Sequence, residues 1–129
     1  MCIRDRAKNP WLGLVFDAVS AELGFTVPPP GMPGPFSLGD TDRLRAVLTT
    51  CGLTDVAIEA VPVPAKAPSV GEWWSRTAAL AGPLAAVLGG LSDEKQDAIA
   101  KRVGEAVQPY VGPSGIELPG VALIASATR

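Results

Sequence analysis

The chain has 129 residues, of which 47% are hydrophobic and 19% charged, and its formal net charge is −2. This length suits one domain, and the composition excludes an intrinsically disordered chain as the expected class. Gly and Pro interrupt the apolar stretches well before the ~20 residues of a bilayer span, so no transmembrane helix is predicted. A mildly acidic chain without a basic run also argues against nucleic-acid binding, which needs clustered Lys and Arg.

The first six residues, MCIRDR, have no periodicity and no apolar segment of the kind found in signal peptides. Their back-translation, ATG TGT ATA AGA GAC AG, resembles the end sequence of a transposase used to make sequencing libraries. We therefore interpret residues 1–6 as a library scar and expect the natural gene to begin further upstream. Residues 7–129 are then the C-terminal part of a larger protein. The alternative is a natural, disordered N-terminus.

Cysteine and histidine usage narrows the chemistry. Cys51 is the only cysteine outside residues 1–6, and there is no histidine. An intrachain disulfide within 7–129 is therefore excluded, which fits a reducing, cytoplasmic location. Without histidine, the chain lacks the commonest general base, the Ser/His and Cys/His nucleophile pairs and the usual zinc ligands. Any catalysis must need little acid–base help, or the missing part of the protein must supply that help.

Apolar residues at helical spacing predict a first helix over residues 10–23, with Asn9 as its N-cap and Gly24 as its end. A loop with five prolines follows over residues 25–39. Three apolar residues of this loop are expected to cover other parts of the protein: Met32, Phe36 and Leu38.

A second helix is predicted to begin after Asp40, its cap, and to end at Gly52 with a Schellman motif closed by Leu53. Asp40 and Asp42 are read as helix-start acids and not as a catalytic carboxylate pair. The stripe expected to be buried comprises Leu44, Val47, Leu48 and Cys51. Cys51 is thus interpreted as a small core residue.

Alternation predicts a strand over residues 54–61, and Pro62 and Pro64 place its end at a sheet edge. Residues 69–111 read as a helical insert. It is expected to begin with a capping box from Ser69 to Glu72 and to be broken at Gly82-Pro83 and at Gly89-Gly90. Ser92 is the expected cap of its last helix, and Asp97 is expected to pair with Lys101 on the surface of that helix. The residues predicted on the buried face of the last helix are Ile99, Val103, Ala106 and Val107. A final strand is predicted within residues 115–129, and the apolar run 121–125 is expected to be covered on both faces.

The order of these segments resembles that of a known protein family. NPW opens a helix, PPPGMPGPFSLGDTDRLRAVLTTCGLTDVAIEAVPVP follows, then EWW begins a helical insert, and GIELPGVALIASATR ends the chain. This order resembles the C-terminal part of class I S-adenosylmethionine-dependent methyltransferases, of the small-molecule type related to ubiquinone and menaquinone methylation, over residues 7–129. The resemblance implies an α/β fold, the end of a Rossmann-like sheet. Thr54 to Val61 would be the sixth strand and Val121 to Thr128 the antiparallel seventh, beside a fifth strand that lies upstream.

The resemblance also implies a function. The parent would transfer a methyl group directly from S-adenosylmethionine to a small molecule, a reaction that needs alignment and exclusion of water more than a strong base. No cofactor-binding or catalytic residue can be carried over to this chain, because the family's Gly-rich turn lies in the missing N-terminal half. The chain alone is expected to be inactive, and that half is its expected partner.

The substrate pocket is expected to be aromatic, with the insert 69–111 as a lid. The residues assigned to it are Trp11, Phe36, Trp73 and Trp74. Adjacent helical residues point about 100° apart, so Trp73 and Trp74 cannot both be buried against one surface. Each of the four also has a simpler interpretation as a packing residue.

Two other functions are compatible with the sequence. A free-standing α+β module could bind a ligand or partner without catalysis, and it would fold alone as a monomer with an enclosed pocket. A different α/β enzyme with a similar tail, such as an oxidoreductase, would carry a dinucleotide-binding fingerprint upstream.

Overall fold

The computed structural model describes residues 6–29, 32–80 and 82–129. Within these ranges the chain is mixed α/β, as predicted. The helices are α1 (Pro10–Leu23), α2 (Thr41–Thr50), α3 (Val70–Leu80), α4 (Gly82–Gly89) and α5 (Asp93–Ala106). The strands are β1 (Thr54–Pro62), β2 (Ala65–Ala67), β3 (Val111–Gly112), β4 (Gly115–Leu118) and β5 (Val121–Thr128), with a short 3₁₀ turn over Gln108–Tyr110. Of the interpreted scar, only Arg6 lies among the described residues.

The first helix begins and ends where the sequence predicts. Pro10 occupies its first turn, and Gly24 ends it in a left-handed conformation (φ 75°), donating its N–H to Ser20 O. Its predicted apolar face is buried at Leu12, Val15, Phe16 and Val19. The prediction for Asn9 is wrong in one respect: Asn9 is the N-cap residue, but its side chain makes no capping hydrogen bond.

The proline loop covers other elements only in part. Phe36 packs against Phe16, and Leu38 packs against Leu44 and its neighbours on α2 and the sheet. Met32 is exposed, so its predicted covering role is wrong. Pro30 and Gly31 lie outside the described residues.

The second helix has the predicted caps but a narrower buried face. The Asp40 side chain accepts a hydrogen bond from Arg43 N at 2.8 Å. At the other end, Leu53 N donates to Leu48 O and Gly52 N to Thr49 O, the two bonds of a Schellman motif.

The prediction of burial on this helix is confirmed for Leu44 and in part for Leu48. It is wrong for Val47 and Cys51, which are exposed. The reason lies in the surface that the helix covers. Helix α2 packs on a sheet of only two strands, and a surface that narrow covers one line of side chains.

The two strands that the sequence assigns to the sheet are confirmed. β1 and β5 pair antiparallel, with Ala57 opposite Ser126 and Pro62 opposite Val121. The expected two-sided burial of residues 121–125 is confirmed only at Ala122 and Leu123, which lie on opposite faces and are both buried; it is wrong for Ile124, which is 55% exposed, and for Ala125. Leu123 packs with Leu44 of α2, whereas Ile124 points to the opposite face of the sheet and is exposed there.

A second sheet was not predicted. β2, β4 and β3 form three antiparallel strands in the order β2-β4-β3. The segment read as the beginning of one final strand is therefore two strands, β4 and β5, in different sheets. Strands of two to four residues are too short for their alternation to stand out from the surrounding loop.

The helical insert forms the larger core together with α1 and the small sheet. Leu84, Ile99, Val103, Val107 and Leu118 are fully buried there. Ala106, predicted in this core, is exposed, and the predicted ion pair of Asp97 with Lys101 is absent from the ion pairs of the described residues.

Both predicted N-cap residues of the insert occupy the expected positions, but their predicted hydrogen bonds form only in part. Glu72 N donates to Ser69 Oγ at 3.2 Å, while the Glu72 carboxylate pairs with Arg76. Ser92 is the N-cap residue of α5 without a side-chain capping bond. The breaks predicted at Gly82-Pro83 and Gly89-Gly90 coincide with the start and the end of α4.

Among the helices of the described ranges, none combines the length and the apolar character that crossing a membrane requires.

Candidate functional site

The adjacent tryptophans of α3 lie in different environments, as their 100° separation predicts. Trp73 is 3% exposed and belongs to the larger core, whereas Trp74 is half-buried at its surface. The indole N–H of Trp73 is buried without a hydrogen-bond acceptor in the described structure. Trp73 is therefore a packing residue, and Trp74 is the member of the pair that is accessible to a ligand.

Trp74 lines a cleft of about 340 Å³ between α3, α4 and α5, here called the insert cleft. Its other lining residues include the small residues Ala78, Ala85 and Ala100, and the acidic residue Asp97. The cleft lies within the segment that was expected to form the lid.

Phe36 lines a different cleft, of about 430 Å³, at the start of β5, here called the strand cleft. The ring packs edge-on against Phe16, with centroids 6.0 Å apart and planes at 75°. The guanidinium of Arg6 lies 5.9 Å from the Phe36 centroid and pairs with Asp17. Lys8, Val121 and Leu123 complete the side of the cleft toward the sheet.

The fourth predicted residue, Trp11, is half-buried against the larger core. Its indole N–H donates to Asn9 Oδ1 at 3.3 Å. Trp11 and Trp73 line neither the insert cleft nor the strand cleft. Trp74 and Phe36 thus line two different clefts, while Trp11 and Trp73 pack with the larger core.

Asn9 is the structural residue that the sequence reasoning misread. It is 1% exposed, its Nδ2 donates to Val121 O at 3.0 Å, and its Oδ1 accepts from Val121 N at 3.0 Å. The side-chain amide thereby pairs with β5 as a neighbouring strand would. Asn-Pro before a helix reads as a cap, and no local signal indicates a partner 112 positions away.

The backbone hydrogen bonds at the beginning of β5 show which of its two edges is open. Val63 N donates to Gly120 O at 2.7 Å, so Gly120 faces β1 and the next residue, Val121, faces away. Because backbone groups alternate along a strand, those of Leu123 and Ala125 point the same way as Val121. No described strand pairs with β5 on that side.

Asp40, at the strand cleft, is engaged in capping α2. Within the described ranges there is no grouping of His, Cys, Asp and Glu that could hold a metal ion.

The described residues contain no glycine-rich turn between a strand and a helix. The one connection from a strand to a helix among them is Pro68-Ser69, between β2 and α3, where the serine hydroxyl accepts from Glu72 N. A glycine turn that admits a nucleotide is not present at that connection.

Comparison with protein-family models and with curated proteins gives no match for this chain. The functional proposal therefore depends on the residues and the geometry described above.

Proposed function

We propose that the chain is the substrate-binding C-terminal part of a class I S-adenosylmethionine-dependent methyltransferase that acts on a small molecule. The observation that carries this proposal is the β1–β5 sheet. Its last strand runs antiparallel to its neighbour and has an edge that no described strand occupies. This arrangement agrees with the sixth and seventh strands implied by the sequence resemblance.

The path of the chain into α1 supports the same assignment. Asn9 is bonded to Val121 at the beginning of β5, on the open edge. Residues 6–8 form a turn directly before Asn9. A strand that ended before this turn would lie along β5 and finish where β5 begins. It would run antiparallel to β5 and therefore parallel to β1, which is the relation implied for a fifth strand.

The role proposed for this chain is to position the methyl acceptor and to exclude water from it. The strand cleft lies at the beginning of β5, and Phe36 provides its apolar wall. The cofactor is assigned to the missing N-terminal half, since the resemblance places the Gly-rich turn that holds it there. The chain alone is accordingly proposed to be inactive.

The decisive experiment is a long sequencing read across the locus, upstream from the codon for Ala7. We expect an in-frame segment that encodes a strand, a Gly-rich turn and a helix. The extended protein should bind S-adenosylmethionine in calorimetry, and the 129-residue chain should not. A native stop codon upstream of Met1, or equal binding by the short chain, would refute the proposal.

Proline substitutions test the open edge directly. Ala125→Pro removes an N–H that points away from β1. We therefore expect the free energy of unfolding of the isolated chain to fall by less than about 1 kcal/mol. Ile124→Pro removes an N–H directed at β1 and should lower the free energy of unfolding by about 3 kcal/mol. In the extended protein both should be costly, because both edges of β5 are then paired. Urea denaturation of the two variants in each background measures this, and a costly Ala125→Pro in the short chain would contradict the open edge.

A free-standing binding module is the second candidate, and the larger core favours it. That core is closed by residues of this chain alone, from α1, the insert and the small sheet. This candidate predicts a monomeric, cooperatively unfolding chain. Size-exclusion chromatography with light scattering separates it from the first candidate, for which the open sheet edge predicts aggregation.

A further inference from the structure

The insert cleft combines an accessible aromatic face with a carboxylate. We propose that it binds a small organic cation, an ammonium group carrying methyl or short alkyl substituents, between the Trp74 indole and Asp97. This inference does not rest on methyl transfer and applies to the chain under either proposed function.

The shape of the cleft leaves room beside the indole. Ala78 on α3, Ala85 and Gly89 on α4 and Ala100 on α5 line it, and none of them projects beyond a methyl group. The volume of about 340 Å³ is sufficient for a small ligand. Trp74 is half-buried, so part of the residue stays accessible where it lines the cleft.

The charge of the cleft selects a cation. Among the described residues that line the cleft, Asp97 is the one with a charge, and none of them is Lys or Arg. Asp97 makes no ion pair in the described part of the chain, although Lys101 stands one turn further along α5. Gln96 does not compete for a ligand, since its Nε2 donates to Leu91 O at 3.1 Å.

An aromatic ring and a carboxylate together recognise alkylammonium ions. The face of an indole attracts a cation through its quadrupole, and Trp is the strongest of the side chains in this respect. The alkyl groups displace water from the small apolar residues, and the carboxylate adds a charge interaction at the rim. A neutral ligand of the same shape would keep the apolar contact and lose the other two contributions.

The test compares choline with 3,3-dimethylbutan-1-ol, its uncharged carbon isostere, on the ¹⁵N-labelled full chain by NMR. We expect choline to shift the Trp74 indole N–H and the backbone amides of residues 96–100, with the Trp11 and Trp73 indoles unaffected. The isostere should bind about tenfold more weakly.

Variants then assign the binding to the two side chains. Asp97→Asn should weaken choline binding about tenfold, and Trp74→Leu should weaken it at least as much. Asp93→Asn is the matched control, since Asp93 is an exposed acid of the same helix outside the cleft. The spectra themselves report whether each variant is folded. Equal binding of the isostere, equal effects of Asp97→Asn and Asp93→Asn, or no shift at Trp74 would each overturn the proposal.

Discussion

Replacing Gly120 with alanine is expected to lower the free energy of unfolding by about 3 kcal/mol. Gly120 is buried where β1 and β5 meet, and its carbonyl accepts from Val63 N at 2.7 Å. A Cβ built on Gly120 overlaps the Val63 carbonyl oxygen and lies 3.4 Å from Asn9 Oδ1. The overlap is with backbone, so relief requires the two strands to separate at the point where Asn9 joins them to α1.

Gly104→Ala is the matched control for this prediction. Gly104 lies within α5, and a Cβ there has no atom within 4 Å. The substitution should stabilise the chain by about 0.5–1 kcal/mol, because alanine is the better helix former and restricts the unfolded chain. Urea denaturation of both variants measures the difference. If Gly120→Ala unfolds at the same urea concentration as the unsubstituted chain, the close approach of the strands is wrong.

The second large effect is expected from Asn9→Ala, which should lower the free energy of unfolding by about 2–3 kcal/mol. The Asn9 side chain is almost fully buried and makes two hydrogen bonds of 3.0 Å with the Val121 backbone, and it accepts from the Trp11 indole. Alanine leaves these groups without the amide that satisfies them. Asn9→Asp should cost at least as much, since it buries a charge and sets a carboxylate oxygen against Val121 O.

An exposed amide provides the control for Asn9. Gln108 Nε2 donates to Gly104 O at 3.1 Å on the surface of α5, and Gln108→Ala should change stability by less than about 0.5 kcal/mol. Hydrogen exchange adds a local measurement: the Val121 amide should exchange faster in Asn9→Ala and remain unchanged in Gln108→Ala. Similar stabilities for the two variants would mean that the bridge from α1 to β5 contributes little.

These two predictions concern the same junction, and the junction determines what the proposed function requires. The amide of Asn9 holds the beginning of β5 against α1 and leaves the rest of that edge open. The strand cleft with Phe36 lies beside it. A structure weakened here would lose both the edge on which the missing half is proposed to pack and the wall of the cleft.

Prediction from the sequence succeeded where the signal is local. The capping bond of Asp40, the helix ends at Gly24 and Gly52, and strands over 54–61 and within 115–129 were all expected. Each depends on contacts within one turn of helix or on the pattern of one strand. The antiparallel direction of the last strand was implied by the family resemblance. The sequence by itself also determined that Trp73 and Trp74 differ in exposure, because the geometry of a helix separates them wherever it packs.

The tertiary structure decided the rest, since burial depends on what covers a residue and not on its own pattern. Cys51 and Val47 lie on an apolar stripe but are exposed, because the sheet beneath α2 has only two strands. Asn9 has the residue type and position of a cap, yet its amide bonds to a strand 112 residues away. The aromatic residues expected in one pocket are divided between two clefts and a core for the same reason: their separation in space is set by how the insert packs on α1 and the small sheet, and no single segment encodes that packing.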